Sequence, residues 1–207
     1  MRTEIINSYM LWVNEHESEP KSVFKFCQEN EFSESEFYDN FSDLQSVKED
    51  ILAEIWVQSV NSLSEQEFYT DSNANEKLLS VMYGFFENLK TNRSYLAQAF
   101  KGWKNPTEPI HSLSPWRKEF LKYIDSIDLG SMSIGVEMID KNTKKVNSNA
   151  LFANALFVFH FWLNDKSKGF EKTDACIEKL FVLSFDLMQN DTLKKAIDLG
   201  KFLFQAK

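Results

Sequence analysis

The chain has 207 residues, 43% of them apolar, and its 19 Phe and five Trp promise a core with bulky walls, while only six Gly and four Pro argue against a loop-rich sheet protein. Two cysteines, Cys27 and Cys176, supply neither a metal spacing nor a disulfide framework, which points to a reduced, cytoplasmic setting. The net charge of −8 is concentrated at one end: residues 1–50 carry four cations (Arg2, Lys21, Lys25, Lys48) against twelve acids, and the remainder balances at 19 of each, so the N-terminal quarter repels polyanions.

Ile5, Ile6, Tyr9, Trp12 and Val13 recur at helical spacing and predict a first helix over 3–14. Pro20 suits the first turn of a second helix, "PKSVFKFCQEN", with Val23, Phe24 and Cys27 on one face. A short third helix starts at Ser33, where Ser33-x-x-Glu36 forms a capping box. A long fourth follows at 46–63, with Leu44, Val47, Ile51, Ile55 and Val60 inward. Further helices are expected over 75–91 (Leu78, Leu79, Met82, Phe86, Leu89 inward), 93–100, from Ser114 to a stop at Gly130 (Trp116, Phe120, Tyr123, Ile124, Ile127 inward), 149–164, 171–190 and 191–207. Loops are expected near 64–74, 101–114, 130–148 and 164–170. No signal-peptide pattern opens the chain, and the most apolar stretch, 150–163, falls short of the about 20 residues that span a bilayer, so a soluble protein is expected.

Three short helices and a long fourth, ahead of a larger helical body, carry the motif "FCQENEFSESEFYDNF" followed by "KEDIL". This resembles the TetR family of transcriptional regulators, whose helix-turn-helix typically ends in Tyr-x-x-Phe and then Lys-Glu-x-Leu; Tyr38, Phe41 and the run from Lys48 to Leu52 match. The resemblance covers residues 3–56 by motif and the rest by helix number and length. It implies an all-α fold with a three-helix helix-turn-helix head at 1–45 and a ligand-binding and dimerisation body at 46–207, helix 4 linking the two. It also implies a ligand cavity among the middle helices and a homodimer formed by the last two long ones. Three departures stand out. Glu31 occupies the turn position usually held by Gly, Glu34-Ser35-Glu36 opens the recognition helix, and Lys48 lies seven residues after Phe41 where the family's lysine usually lies three after, about one helical turn further on.

Met82, Tyr83, Phe86, Phe100, Trp103, Trp116, Phe120, Tyr123, Phe157, His160 and Phe161 lie on the segments that the resemblance assigns to the pocket, and they suit a hydrophobic or lipid-like ligand held by a few polar groups. Each is equally a plain core residue; their collective bulk is the argument. Operator binding would fall to Lys21, Lys25, Ser33, Ser35, Tyr38 and Lys48, against eleven acids between Glu15 and Asp50. The acidic head is instead expected to disfavour DNA and to suit a basic protein partner. No catalytic motif, cofactor loop or metal spacing emerges, since His16, His111 and His160 fall on separate segments, and an enzyme is not expected. A lipid-binding accessory protein of ubiquinone biosynthesis keeps the same fold and uses a C-terminal amphipathic helix at membranes. By that analogy the stretch 191–207, with Leu193, Ala196, Ile197 and Phe204 on one face and four lysines around it, is a candidate for weak membrane contact.

Overall fold

The computed structural model describes residues 1–105, 113–129 and 137–189. Every regular element among them is helical: α1 (Arg2–His16), α2 (Val23–Glu29), α3 (Glu34–Tyr38), α4 (Leu44–Ser64), α5 (Glu67–Asp71), α6 (Ala74–Thr91), α7 (Arg93–Ala99), α8 (Ser114–Ser126), α9 (Glu137–Asn164) and α10 (Glu171–Gln189).

Local chemistry sets most helix starts. The Ser22 hydroxyl accepts from Lys25 N–H to begin α2; Ser33 with Glu36, Asp43 with Ser46 and Asn73 with Glu76 close reciprocal capping boxes on α3, α4 and α6. Pro115 sits in the first turn of α8. The expected second helix is therefore shortened: Pro20 is buried ahead of it, and Ser22 is the cap. Its inner face is also rotated from the one expected. Phe26 and Cys27 are buried and Val23 is partly so, whereas Phe24 is 59% exposed. In α3, Phe37 and Phe41 close the head as expected, but Tyr38 faces outward and meets only the edge of the Phe37 ring.

The turn from α2 to α3 keeps the left-handed geometry that normally selects glycine. Glu31 has φ 60°, and the Phe32 N–H donates to the Cys27 carbonyl at 3.0 Å, a Schellman-type ending. A side chain held there is strained by about 1–2 kcal/mol.

Helix α4 is the axis of the molecule, packing on α1, α6 and α8. Val47, Ile51, Leu52, Ile55, Trp56 and Ser59 are buried, so its inward residues occupy more than one stripe. Against α6, Asn88 donates to the Ser59 hydroxyl at 2.8 Å. Gly84 lets the helices approach closely, since a Cβ there would stand 2.8 Å from the Leu63 side chain. The outer layer is α9 against α10, with α10 also on α6.

A second knot ties α7 to the corner between α9 and α10. Arg93 donates to the Leu163 carbonyl at 2.8 Å, and its guanidinium lies 4.2 Å from the Trp162 ring centre and 5.3 Å from that of Phe170. Asp165 shapes the corner by accepting from the N–H groups of Ser167 and Thr173 and from the Thr173 hydroxyl. Burial pushes the Asp165 carboxyl up, but these bonds together outweigh it and hold it below the ordinary range.

Two expected loops contain helix. α5 occupies part of 64–74, and α9 begins at Glu137 where a loop to 148 was expected. The stretch containing Lys144, Lys145 and Asn147 has no apolar stripe to announce a helix. The expected stop at Gly130 and the expected helix at 191–207 lie outside the described residues.

Glu31→Gly is expected to stabilise the protein by up to about 1 kcal/mol, the relieved strain exceeding the backbone entropy lost, read as a rise of a few degrees in Tm.

Candidate functional site

Two surfaces carry potential chemistry: the outer face of the head, and the apolar body with its cavities.

On the head, Glu34, Ser35 and Glu36 open α3 and are exposed. Ser33 is committed to its capping box, its N–H and hydroxyl donating to Glu36 at 2.9 and 2.7 Å. The Ser33 backbone bond first, and the hydroxyl bond second, hold the Glu36 carboxyl below its usual range, so its charge persists. The local cations are largely engaged. Lys48 Nζ donates to Glu19 at 2.5 Å. Arg2 pairs with Asp50, donates to the Asn40 carbonyl at 2.9 Å and stacks 4.4 Å from the Phe41 ring centre. Lys21 and Lys25 are exposed and form no ion pair among the described residues; Tyr38 is 54% exposed.

In the body, the aromatic side chains meet ring to ring. Trp56 lies 5.3 Å from Phe85 and 5.0 Å from Phe120, Trp116 5.1 Å from Phe85 and 5.3 Å from Phe152, and Phe86 6.2 Å from Trp162. Of the residues expected at a pocket, Met82, Phe86, Trp116, Phe120 and Tyr123 are buried in this packed centre. The Tyr123 hydroxyl bonds that of Tyr69 on α5 at 2.8 Å; burial first, and this bond second, raise its pKa. Phe100, Trp103 and His160 come together at one edge, Trp103 lying 5.9 Å from Phe100 and 5.2 Å from His160. Phe161 is half-buried on α9. Tyr83 and Phe157 stand apart on outer faces, the latter 46% exposed.

The cavities lie around this centre. A groove of about 320 Å³ runs between α4 and α7, lined by Gln45, Lys48, Ile51, Leu52, Tyr95, Leu96, Ala99, Phe100, Lys101 and Trp103. A smaller one, about 190 Å³, lies between α4 and α8 beside Trp56 and Tyr123. A polar one of about 450 Å³ is lined by Arg2, Asp50, Glu54, Lys118 and Glu119 among others. Sequence reasoning reached only Phe100 and Trp103 of the first groove as ligand residues. The others belong to helices whose mutual register appears only in three dimensions, although Tyr95, Ala99 and Trp103 are themselves four residues apart.

A three-helix head capped by a long fourth helix, on an all-helical body with apolar grooves, defines a helix-turn-helix protein with a sensor-like body. Residues 77–203 match the family model described as "Tetracyclin repressor-like, C-terminal domain". The chain belongs to the TetR family of transcriptional regulators. Among solved structures, it is similar to a putative TetR-family transcriptional regulator from Syntrophomonas wolfei str. Goettingen, at 16% identity and a TM-score of 0.56, over 92% of this chain and 95% of that one. At that identity the likeness speaks for the fold, head and body together. No curated protein matches the chain.

Trp116→Ala would leave a void where four rings meet, and is expected to cost about 3–5 kcal/mol in urea unfolding, with secondary structure retained in the folded state.

Proposed function

We propose that this TetR-family protein acts as a non-catalytic homodimer that binds a hydrophobic or lipid-like molecule, and that its acidic head docks a basic protein surface in place of conventional operator DNA. The observation that carries the reading is the charge arrangement of the head. The start of α3 presents Glu34 and Glu36, and the two cations nearest the start of α4 are held by Asp50 and Glu19. Freeing Lys48 for a phosphate would break an ion pair before any contact was gained, and the surrounding acids would oppose approach. The hydrophobic ligand is supported by apolar grooves against an aromatic centre.

The dimer is supported by unpartnered apolar positions on the two long outer helices. Val146, Ala150, Ala153 and Phe157 recur along an exposed stripe of α9, and Val182, Leu183 and Leu187 are exposed on α10. Apolar side chains at helical spacing on adjacent antiparallel helices suit an isologous contact with a second copy.

A second reading, a ligand-responsive DNA-binding repressor, is favoured by one observation: Lys21, Lys25, Ser35 and Tyr38 all remain exposed on the head. Among the described residues no helix is long and apolar enough to cross a membrane. The segment 191–207, a candidate for weak membrane contact, lies outside them.

Fluorescence anisotropy with the protein's own upstream DNA and with random duplex, at low and moderate salt, separates the two readings. No binding to either duplex at low salt is the expected result; tight, sequence-selective binding with a steep salt dependence would establish the repressor instead. For the assembly, Phe157→Glu with Leu183→Glu is expected to convert a dimer to a folded monomer in light scattering, since both side chains are exposed within one copy. A mass unchanged between wild type and variant would count against this interface.

A further inference from the structure

The groove between α4 and α7 differs from the rest of this acidic molecule. Its floor is apolar, from Ile51, Leu52, Leu96, Phe100 and Trp103, and its charged lining consists of Lys48 and Lys101 without a carboxylate. The polar cavity on the far side of α4 has the opposite character, since Asp50, Glu54 and Glu119 line it together with Arg2 and Lys118. A local pair of ammonium groups beside an apolar floor, in a protein of net charge −8, selects an anion that carries its own apolar body.

A second observation concerns Trp103. Its Nε1–H is buried and has no acceptor among the described residues. A buried donor left without an acceptor costs about 1–3 kcal/mol, and Trp103 is part of the groove lining. An oxyanion in the groove would supply both the acceptor and the countercharge. The volume of about 320 Å³ lies at the lower end of the range for small-molecule pockets, which suits one chain better than two.

We infer that the groove between α4 and α7 binds a single-chain anionic amphiphile, a fatty acid or its phosphate counterpart, with its chain on Leu52, Leu96 and Phe100 and its head group at Lys48, Lys101 and the Trp103 N–H. The inference rests on the proposed hydrophobic ligand and adds its head-group chemistry and its place. The ligand competes with Glu19 for Lys48, so binding loosens one of the ties between the α1–α2 connection and α4.

The test is calorimetric titration of the full chain with dodecanoate, dodecyl phosphate and dodecanol, each below its micellar concentration. At least one of the two anions is expected to bind about tenfold or more tightly than the alcohol, the value of one or two charge-assisted hydrogen bonds, and the tighter of the two identifies the head group. Lys48→Met with Lys101→Met is expected to abolish that preference while leaving dodecanol affinity unchanged. Lys101→Met alone, at an exposed side chain, reports the same loss in part if the double variant folds poorly. Equal affinity for anions and alcohol, or a preference that survives in the variants, would overturn the groove assignment while leaving the hydrophobic-ligand reading standing. Binding of none of the three probes would remove both.

Discussion

The burial of α4 on several sides constrains everything else. A helix with one wet face can be placed by one neighbour, but α4 offers Val47, Ile51 and Ile55 together with Leu52 and Trp56. It must be covered by α1 from the head and by α6 and α8 from the body at once. Trp56 alone buries enough apolar area to contribute about 2–3 kcal/mol, and its ring is gripped by Phe85, Phe120 and Tyr123. The head therefore does not hang from a linker. It is seated on the same helix that organises the aromatic centre, and its orientation is a property of that centre.

Much of this was legible in the sequence, and the reasons differ from element to element. The spacing of Leu78, Met82, Phe86 and Leu89 announced α6, because an amphipathic helix between core and solvent writes its period directly into the chain. The capping box at Ser33 was readable for the same reason: both partners are local. The first part of α9 was not readable, since it shows no apolar stripe, and α5 is a five-residue helix below the length at which periodicity means anything. The inner face of α2 was misjudged because Phe24 is as apolar as Phe26, and only packing against Tyr9 and Trp12 chooses between them.

The candidate site was legible in composition but not in geometry. An excess of aromatic bulk in the body correctly indicates a ring-rich interior, yet the same residues can line a cavity or fill it. Trp116 and Phe120 are packed among neighbouring rings, whereas Phe100 and Trp103 border open volume. The distinction depends on the offset between α4 and α7, fixed by contacts far apart in the chain. The charge asymmetry of the head was visible at once. What the structure adds is that Lys48 and Arg2, half of the head's four cations, are directed at neighbouring acids.

The knot at Arg93 has a mechanical meaning. It ties the first residue of α7 to the end of α9 through the Leu163 carbonyl and the Trp162 ring, and Phe100 and Trp103 hold the other end of α7 to Phe159 and His160 of the same helix. Helix α7 is thus a crossbar bolted at both ends to α9, and α1 rests on the crossbar. In the proposed dimer the spacing between the two heads is then set by how steeply the paired α9 helices cross, much as the angle of a hinge sets the reach of the plates fixed to it.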